Sequence, residues 1–171
     1  MLDFTSHILT VLPSLILANI LHMLVVKWNI LPFLNKPISS SLFGPNKTWR
    51  GFILVPVFNI LFLLLINSLL NLNLSNVIPL GFFLGLAYVA FELPNSFIKR
   101  KSNIKAGETS ANKNYFFMLI DKMDSAFGVA LIYYILSSIT ITEAVVLMFL
   151  CSLTHIVMSL ILVFTKIKAS F

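Results

Sequence analysis

Three short polar clusters carry the residue types that could do chemistry. The first is Asp121–Ser125, reading DKMDS. On a helix, Asp121 and Asp124 lie three residues apart and Ser125 four from Asp121. Both carboxylates and the hydroxyl then face one way. One carboxylate near the middle of a membrane costs about 2.5–3.5 kcal/mol, and two neighbours also repel. A divalent cation removes both penalties, as do basic partners such as Lys99 or Arg100. Mg2+ is commonly held by one or two carboxylates plus substrate phosphates. A buried structural ion-pair network is the plainer alternative.

The second cluster is Phe91–Lys105, reading FELPNSFIKRKSNIK. If a helix resumes after Pro94, Glu92 and Ser96 share a face, as do Ser96 and Arg100. Lys99, Arg100, Lys101 and Lys105 make a dense positive site beside Glu92, Asn95 and Ser96. An acid within reach of several cations suits a metal–phosphate site, and equally a salt-bridged helix end. The third cluster is Leu42–Phe52, reading LFGPNKTWRGF. Gly44, Pro45 and Asn46 form a turn. Lys47, Thr48 and Arg50 follow, ahead of Gly51. Two cations and a hydroxyl beside flexible backbone can hold phosphate oxygens. The glycine spacing is not that of a P-loop, and a juxtamembrane basic turn gives the same residues.

These clusters must be positioned by membrane helices. The chain has 171 residues, 58% apolar and 11% charged, against roughly 45–50% and about 25% in average soluble domains. That balance, with a mean hydropathy of +0.97, excludes a soluble domain, a disordered chain and a disulfide scaffold. It excludes a soluble nucleic-acid binder despite the net charge of +6, so no nucleic-acid partner is expected. Long Leu, Ile and Phe runs suit helices, whereas barrel strands must alternate.

Five spans are expected: about Ile8–Val26, Phe52–Leu72, Val77–Leu93, Tyr115–Ser138 and Ala144–Phe164. Together they make one integral membrane domain over residues 1–171. The N-terminus carries Asp3 and no basic n-region, so the first run is expected to be a retained span. Every Lys and Arg outside the fourth span falls in the loops 27–51 and 94–114 or in the C-terminal tail. The opposite side has only Asp3 and Glu143. The positive-inside rule places the N-terminus outside and the C-terminus in the cytoplasm. All three clusters then lie on the cytoplasmic side of the inner membrane.

Other signals are structural. Pro13, Pro56 and Pro79 kink or start helices. Asn67–Asn76 reads as a fraying helix end and a turn. Gly81 and Gly85 let another helix approach closely, within the chain or in a homodimer. Cys151 is the lone cysteine. His7, His22 and His155 are scattered without metal-ligand spacing, which favours structural or interfacial roles.

The ordered motifs resemble the CTP-dependent phosphatidate cytidylyltransferases. In that family a Ser-x-x-Lys-Arg segment, here Ser96, Lys99 and Arg100, precedes a pair of carboxylates, here Asp121 and Asp124, followed by Ser125. Glu92 stands where an Asp is usual, and Lys105 matches a later lysine. The short length, the five spans and Gly44, Lys47, Thr48, Arg50 and Gly51 resemble the CDP-archaeol synthase branch more closely. Lys122 replaces the usual Arg or Gln between the carboxylates, and Ala106 stands where many relatives have Asp. The resemblance implies transfer of CMP from CTP to a membrane lipid phosphate, with release of pyrophosphate, in phospholipid biosynthesis. It implies Mg2+ on Asp121, Asp124 and Glu92. It gives catalytic roles to Asp121, Asp124, Lys99 and Arg100, and substrate contacts to Asn46, Lys47, Thr48, Arg50, Asn95, Ser96, Lys105 and Ser125. A CTP-dependent lipid kinase and a small membrane transporter are the competing readings.

Overall fold

A backbone in hydrocarbon must satisfy its own hydrogen bonds, and helices do so within each segment. The computed structural model describes residues 3–102, 104 and 115–167, apart from the side chains of 115–119, 121 and 122. It contains helices α1 (Phe4–Lys27), α2 (Trp49–Leu70), α3 (Val77–Ala90), α4 (Glu92–Lys101), α5 (Tyr115–Leu136) and α6 (Ile141–Phe164). No strand occurs among the described residues; Pro37 and Thr48 form an isolated bridge. Four stretches are long and apolar enough to cross a bilayer: Phe4–Lys27, Trp49–Leu70, Val77–Lys101 and Ile141–Phe164. The expected fourth span is α5, which holds the shorter apolar stretch Met123–Leu136.

Helix ends follow local chemistry. Asp3 caps α1 by accepting from the Ser6 N–H at 3.0 Å. Thr140 and Glu143 form a reciprocal capping box at the start of α6. α2 stops where Asn71 and Asn73 take left-handed backbone, φ 50° and 53°, as the Asn-rich stretch predicts. The third span was expected to end near Leu93, but helix continues to Lys101. Phe91, between α3 and α4, keeps right-handed helical backbone. Pro94 falls in the first turn of α4, where its missing N–H costs nothing. Ser96 Oγ donates to the Glu92 carbonyl at 2.9 Å, which confirms the shared face.

The helices pack as a ring: α2 lies between α1 and α3, α5 between α3 and α6, and α6 returns to α1. α4 leans on α5. The shared core is built from Val11, Leu15, Leu84, Val129, Tyr133 and Leu147. Lipid tails are as apolar as Leu, so close packing rather than dehydration holds such helices together. Outward stripes such as Leu61, Leu65 and Leu69 on α2 face away from the bundle. The Gly81/Gly85 pair lets α3 press on α2. A Cβ at Gly85 would stand 2.6 Å from Pro56 Cα, and one at Gly81 2.9 Å from Ile60 Cα. The pair is thus used within the chain and offers no free face for a homodimer.

Buried polar groups are tied locally. Thr10 and Ser14 turn their hydroxyls onto carbonyls of their own helix, at 2.7 and 3.0 Å. His7 Nδ1 and the Tyr133 hydroxyl meet at 2.7 Å. At the other end of the bundle, each inward stripe finishes in polar residues. On α1 the buried positions 7, 11, 14, 18 and 25 lead through Asn19 and His22. On α6, Leu147 and Cys151 lead to His155 and Ser159. α2 begins inward with Arg50, and α3 ends with Tyr88 ahead of Glu92.

Candidate active site

The converging polar ends enclose a cavity of about 700 Å3, within the usual range for ligand clefts. Its walls come from α1 (Asn19, His22), the loop before α2 (Asn46, Lys47, Thr48), α3 and α4 (Tyr88, Glu92) and α6 (His155, Ser159). The loop motif and the end of the third span, 45 residues apart, meet directly: Lys47 Nζ pairs with Glu92 Oε2. Both groups are partly buried, where an ion pair is screened less than at the surface.

Arg50 is only 3% exposed. Its Nη1 donates to the Ile30 carbonyl at 3.2 Å and to Asn29 Oδ1 at 3.4 Å, and its Nη2 to Asn35 Oδ1 at 3.3 Å. These acceptors lie in the connection between α1 and α2, where Asn29 and Leu31 hold left-handed backbone, φ 49° and 55°. For a bulky residue such as Leu31 this is a true outlier. Pro32 adds to it by disfavouring right-handed backbone before it. The guanidinium fork therefore fastens a strained loop over the cavity. Two cross-loop bonds complete the fastening: Ile38 N–H to Lys47 O at 2.8 Å, and Trp49 N–H to Lys36 O at 3.0 Å.

A second polar group lies where α4, α5 and α6 meet. Asp124 accepts from Asn95 Nδ2 at 3.2 Å and from the Ser125 N–H at 2.6 Å. Ser125, fully buried, places its Oγ 3.3 Å from His155 Nδ1. His155 Nε2 lies 3.4 Å from the Tyr88 hydroxyl. A continuous polar chain thus joins α4, α5, α6 and α3. His155 and Tyr88 belong both to this chain and to the cavity wall.

The structure brings together Asn46, Lys47, Thr48, Arg50 and Glu92 at the cavity, and Asn95, Asp124 and Ser125 at the polar chain beside it. Ser96 is turned onto its own helix. Lys99 and Arg100 lie in the last turn of α4, where cations also complement the helix dipole. They are not among the cavity-lining residues. Lys105 and the Asp121 side chain lie outside the described residues. Among the described residues no three His, Cys, Asp or Glu side chains cluster as a ready metal site. The donors that Asp124 and Glu92 offer are hard carboxylate oxygens on adjoining helices, which is the chemistry Mg2+ takes.

Reasoning from the sequence missed Asn19, His22, Tyr88, His155 and Ser159. The histidines were read as structural or interfacial; His7 bonds Tyr133, whereas His22 and His155 line the cavity. The usable signal was their place on inward stripes: His22 follows Ala18 by four, and His155 follows Cys151 by four.

A family model described as CarS-like, CDP-archaeol synthase, matches residues 6–170. No curated protein and no solved structure matches the chain.

Proposed function

The chain belongs to the CDP-archaeol synthase family, and from that membership we propose that it transfers CMP from CTP to a membrane lipid phosphate. The observation that carries this reading is the direct meeting of the Asn46–Arg50 segment with Glu92 at the wall of a 700 Å3 cavity. A basic, hydroxyl-bearing segment and an acid face one space large enough for a nucleotide. The apolar helices set that space inside a membrane, beside a lipid acceptor. We place the N-terminus outside and the cavity toward the cytoplasm, where the basic loops belong and CTP is found.

In the proposed reaction an oxygen of the lipid phosphate attacks the α-phosphorus of CTP in line. A new P–O bond forms, the bond to the bridging α–β oxygen breaks, and pyrophosphate leaves. The nucleophile is already an anion, so no protein base or covalent intermediate is required. Positioning and charge neutralisation do the work. Asp124, with Asp121 and Glu92, would hold Mg2+, which supplies Lewis-acid neutralisation of phosphate charge. Asn95 and the Ser125 N–H orient the Asp124 carboxylate. Lys47 and Thr48 contact phosphate from the loop, with Asn46 beside them. Lys99, Arg100 and Lys105 neutralise the triphosphate and the departing pyrophosphate.

Purified protein supplied with CTP, Mg2+ and either phosphatidate or an ether-linked lipid phosphate tests this. The expected products are a CDP-lipid and pyrophosphate. Asp124→Asn keeps the size and one acceptor of the side chain but removes its charge. It is expected to cut turnover about 100-fold or more with the fold intact. Release of CDP with no CDP-lipid would identify a kinase and overturn the reading. Full turnover by the variant would remove Asp124 from the site.

A further inference from the structure

Two nitrogen atoms beside the cavity are buried without a hydrogen-bond partner among the described residues: Arg50 Nε and His22 Nε2. Buried polar nitrogens are nearly always paired, so two orphans at one cavity mark a place where an acceptor comes from outside the chain. Arg50 uses both terminal nitrogens on the loop, and no acceptor among the described residues meets its Nε. His22 reaches the same place from α1. Its ring lies against the first turn of α2: a Cβ on Gly51 would stand 3.4 Å from both His22 Cε1 and Nε2. The orphaned imidazole nitrogen therefore faces the residue next to Arg50.

This is also the N-terminus of α2. Thr48 holds the N-cap position without a side-chain capping bond, unlike Asp3 and Thr140 on α1 and α6. An uncapped helix start attracts anions through its N–H groups and dipole. Imidazole, guanidinium and helix N-terminus thus line one wall of the cavity, together with Lys47. A phosphate monoester, with three acceptor oxygens and a double charge, answers all of them.

The surroundings indicate whose phosphate it is. Asn19, Tyr88 and His155 are shared between the polar cavity and a narrow apolar crevice among α1, α5 and α6. Leu12, Leu15, Ile16, Val129 and Met158 line that crevice. The crevice adjoins the cavity that His22 lines, through those three shared residues. The cations of α4, by contrast, stand away from the cavity lining. We infer that His22, Arg50 Nε and the start of α2 form the seat of the lipid acceptor's phosphate, with His22 a substrate-binding residue donating from its Nε2–H tautomer. The inference rests on the CMP-transfer reading above and divides its site in two, the lipid phosphate at α2 and the nucleotide toward α4 and α5.

The test uses the full-length protein in detergent with short-chain probes. Binding of dioctanoyl phosphatidate, dioctanoylglycerol, inorganic phosphate and Mg2+–CTP is measured for the wild type, His22→Phe and His22→Gln. Phe keeps ring volume without a donor, and the Gln amide can place an N–H near the imidazole Nε2 position. The wild type is expected to bind phosphatidate but not the glycerol. His22→Phe is expected to weaken phosphatidate about tenfold or more, the loss of one hydrogen bond to a charged group, with CTP affinity within about twofold. His22→Gln should recover part of the loss. A drop in CTP affinity with phosphatidate unchanged overturns the assignment, as does no change in either. Inorganic phosphate binding as tightly as phosphatidate overturns the lipid source. Turnover separates the two readings. Weakened phosphatidate binding without any CDP-lipid from the wild type leaves the seat standing and sinks CMP transfer. CDP-lipid formation with normal phosphatidate dependence in His22→Phe does the reverse.

Discussion

Arg50→Lys keeps the charge at the start of α2 and removes the fork. In the native protein that fork meets three acceptors, at 3.2, 3.3 and 3.4 Å. Hydrogen bonds from charged donors contribute about 1.5–3 kcal/mol at good geometry. These distances are long, so about 1 kcal/mol each is the better figure. A single ammonium nitrogen can stand in for Nη1 or Nη2 but not both, so one or two of the three bonds are lost and the loop loses roughly 1–2 kcal/mol of its closed state. That corresponds to about a 5- to 30-fold rise in the ratio of open to closed loop. Hydrogen exchange reads this directly, because Ile38 and Trp49 donate the two amide bonds that cross the loop, to Lys47 and Lys36. Their exchange should accelerate by about that factor, while amides in the middle of α6 stay unchanged. Unaltered protection at Ile38 and Trp49 would refute the reasoning, and Arg50 would then serve only a ligand.

Two further substitutions examine the scaffold. Gly85→Val puts a branched side chain where even a Cβ would meet the Pro56 backbone at 2.6 Å. A loss of about 1–3 kcal/mol in detergent unfolding is expected, and unchanged stability would mean that α2 and α3 pack differently. His155→Phe removes the bridge between Ser125 and Tyr88 and leaves the buried Ser125 hydroxyl short of a partner, at a cost of about 1–3 kcal/mol. CMP transfer should fall with it, and His155→Gln, which can still bond one hydroxyl, should retain more of both. Equal behaviour of the Phe and Gln variants in turnover would remove His155 from the polar chain's function.

The architecture was legible wherever a rule of the bilayer acts on consecutive residues. Apolar runs longer than the hydrocarbon core marked the spans. Asn71 and Asn73 marked a helix end, and Gly81 with Gly85 marked a close helix contact. The run past Leu93 to Lys101 was less visible, because Pro94 reads as a break unless its place in a first turn is known. The motifs were legible as phosphate chemistry, but their assembly was not. Lys47 meets Glu92 only because ring packing brings the start of α2 to the end of α3. Arg50 read as a phosphate ligand from its neighbours in sequence. Its terminal nitrogens also meet Asn29, Ile30 and Asn35, beside Asn29 and Leu31, two left-handed residues that are not glycines and so were not announced. His22 and His155 are 133 positions apart by their numbering, and nothing local links them.

Asn59 has a bearing on how the protein is made. This residue sits mid-way along α2, fully buried, and its amide donates to the Gly81 carbonyl at 2.8 Å. That carbonyl belongs to α3, which follows after a connection of only six residues, 71–76. When α2 first leaves the translocation channel alone, the Asn59 amide faces hydrocarbon with nothing to bond. The expense disappears once α3 arrives, because the facing glycine lets the two backbones come close enough for the bond to form. Partitioning into lipid is therefore cheapest for the pair as one antiparallel hairpin. The short turn between them supplies the timing, delivering α3 within moments of α2 during synthesis. A nascent chain halted just after α2 should be held at the channel longer than its apolar composition suggests.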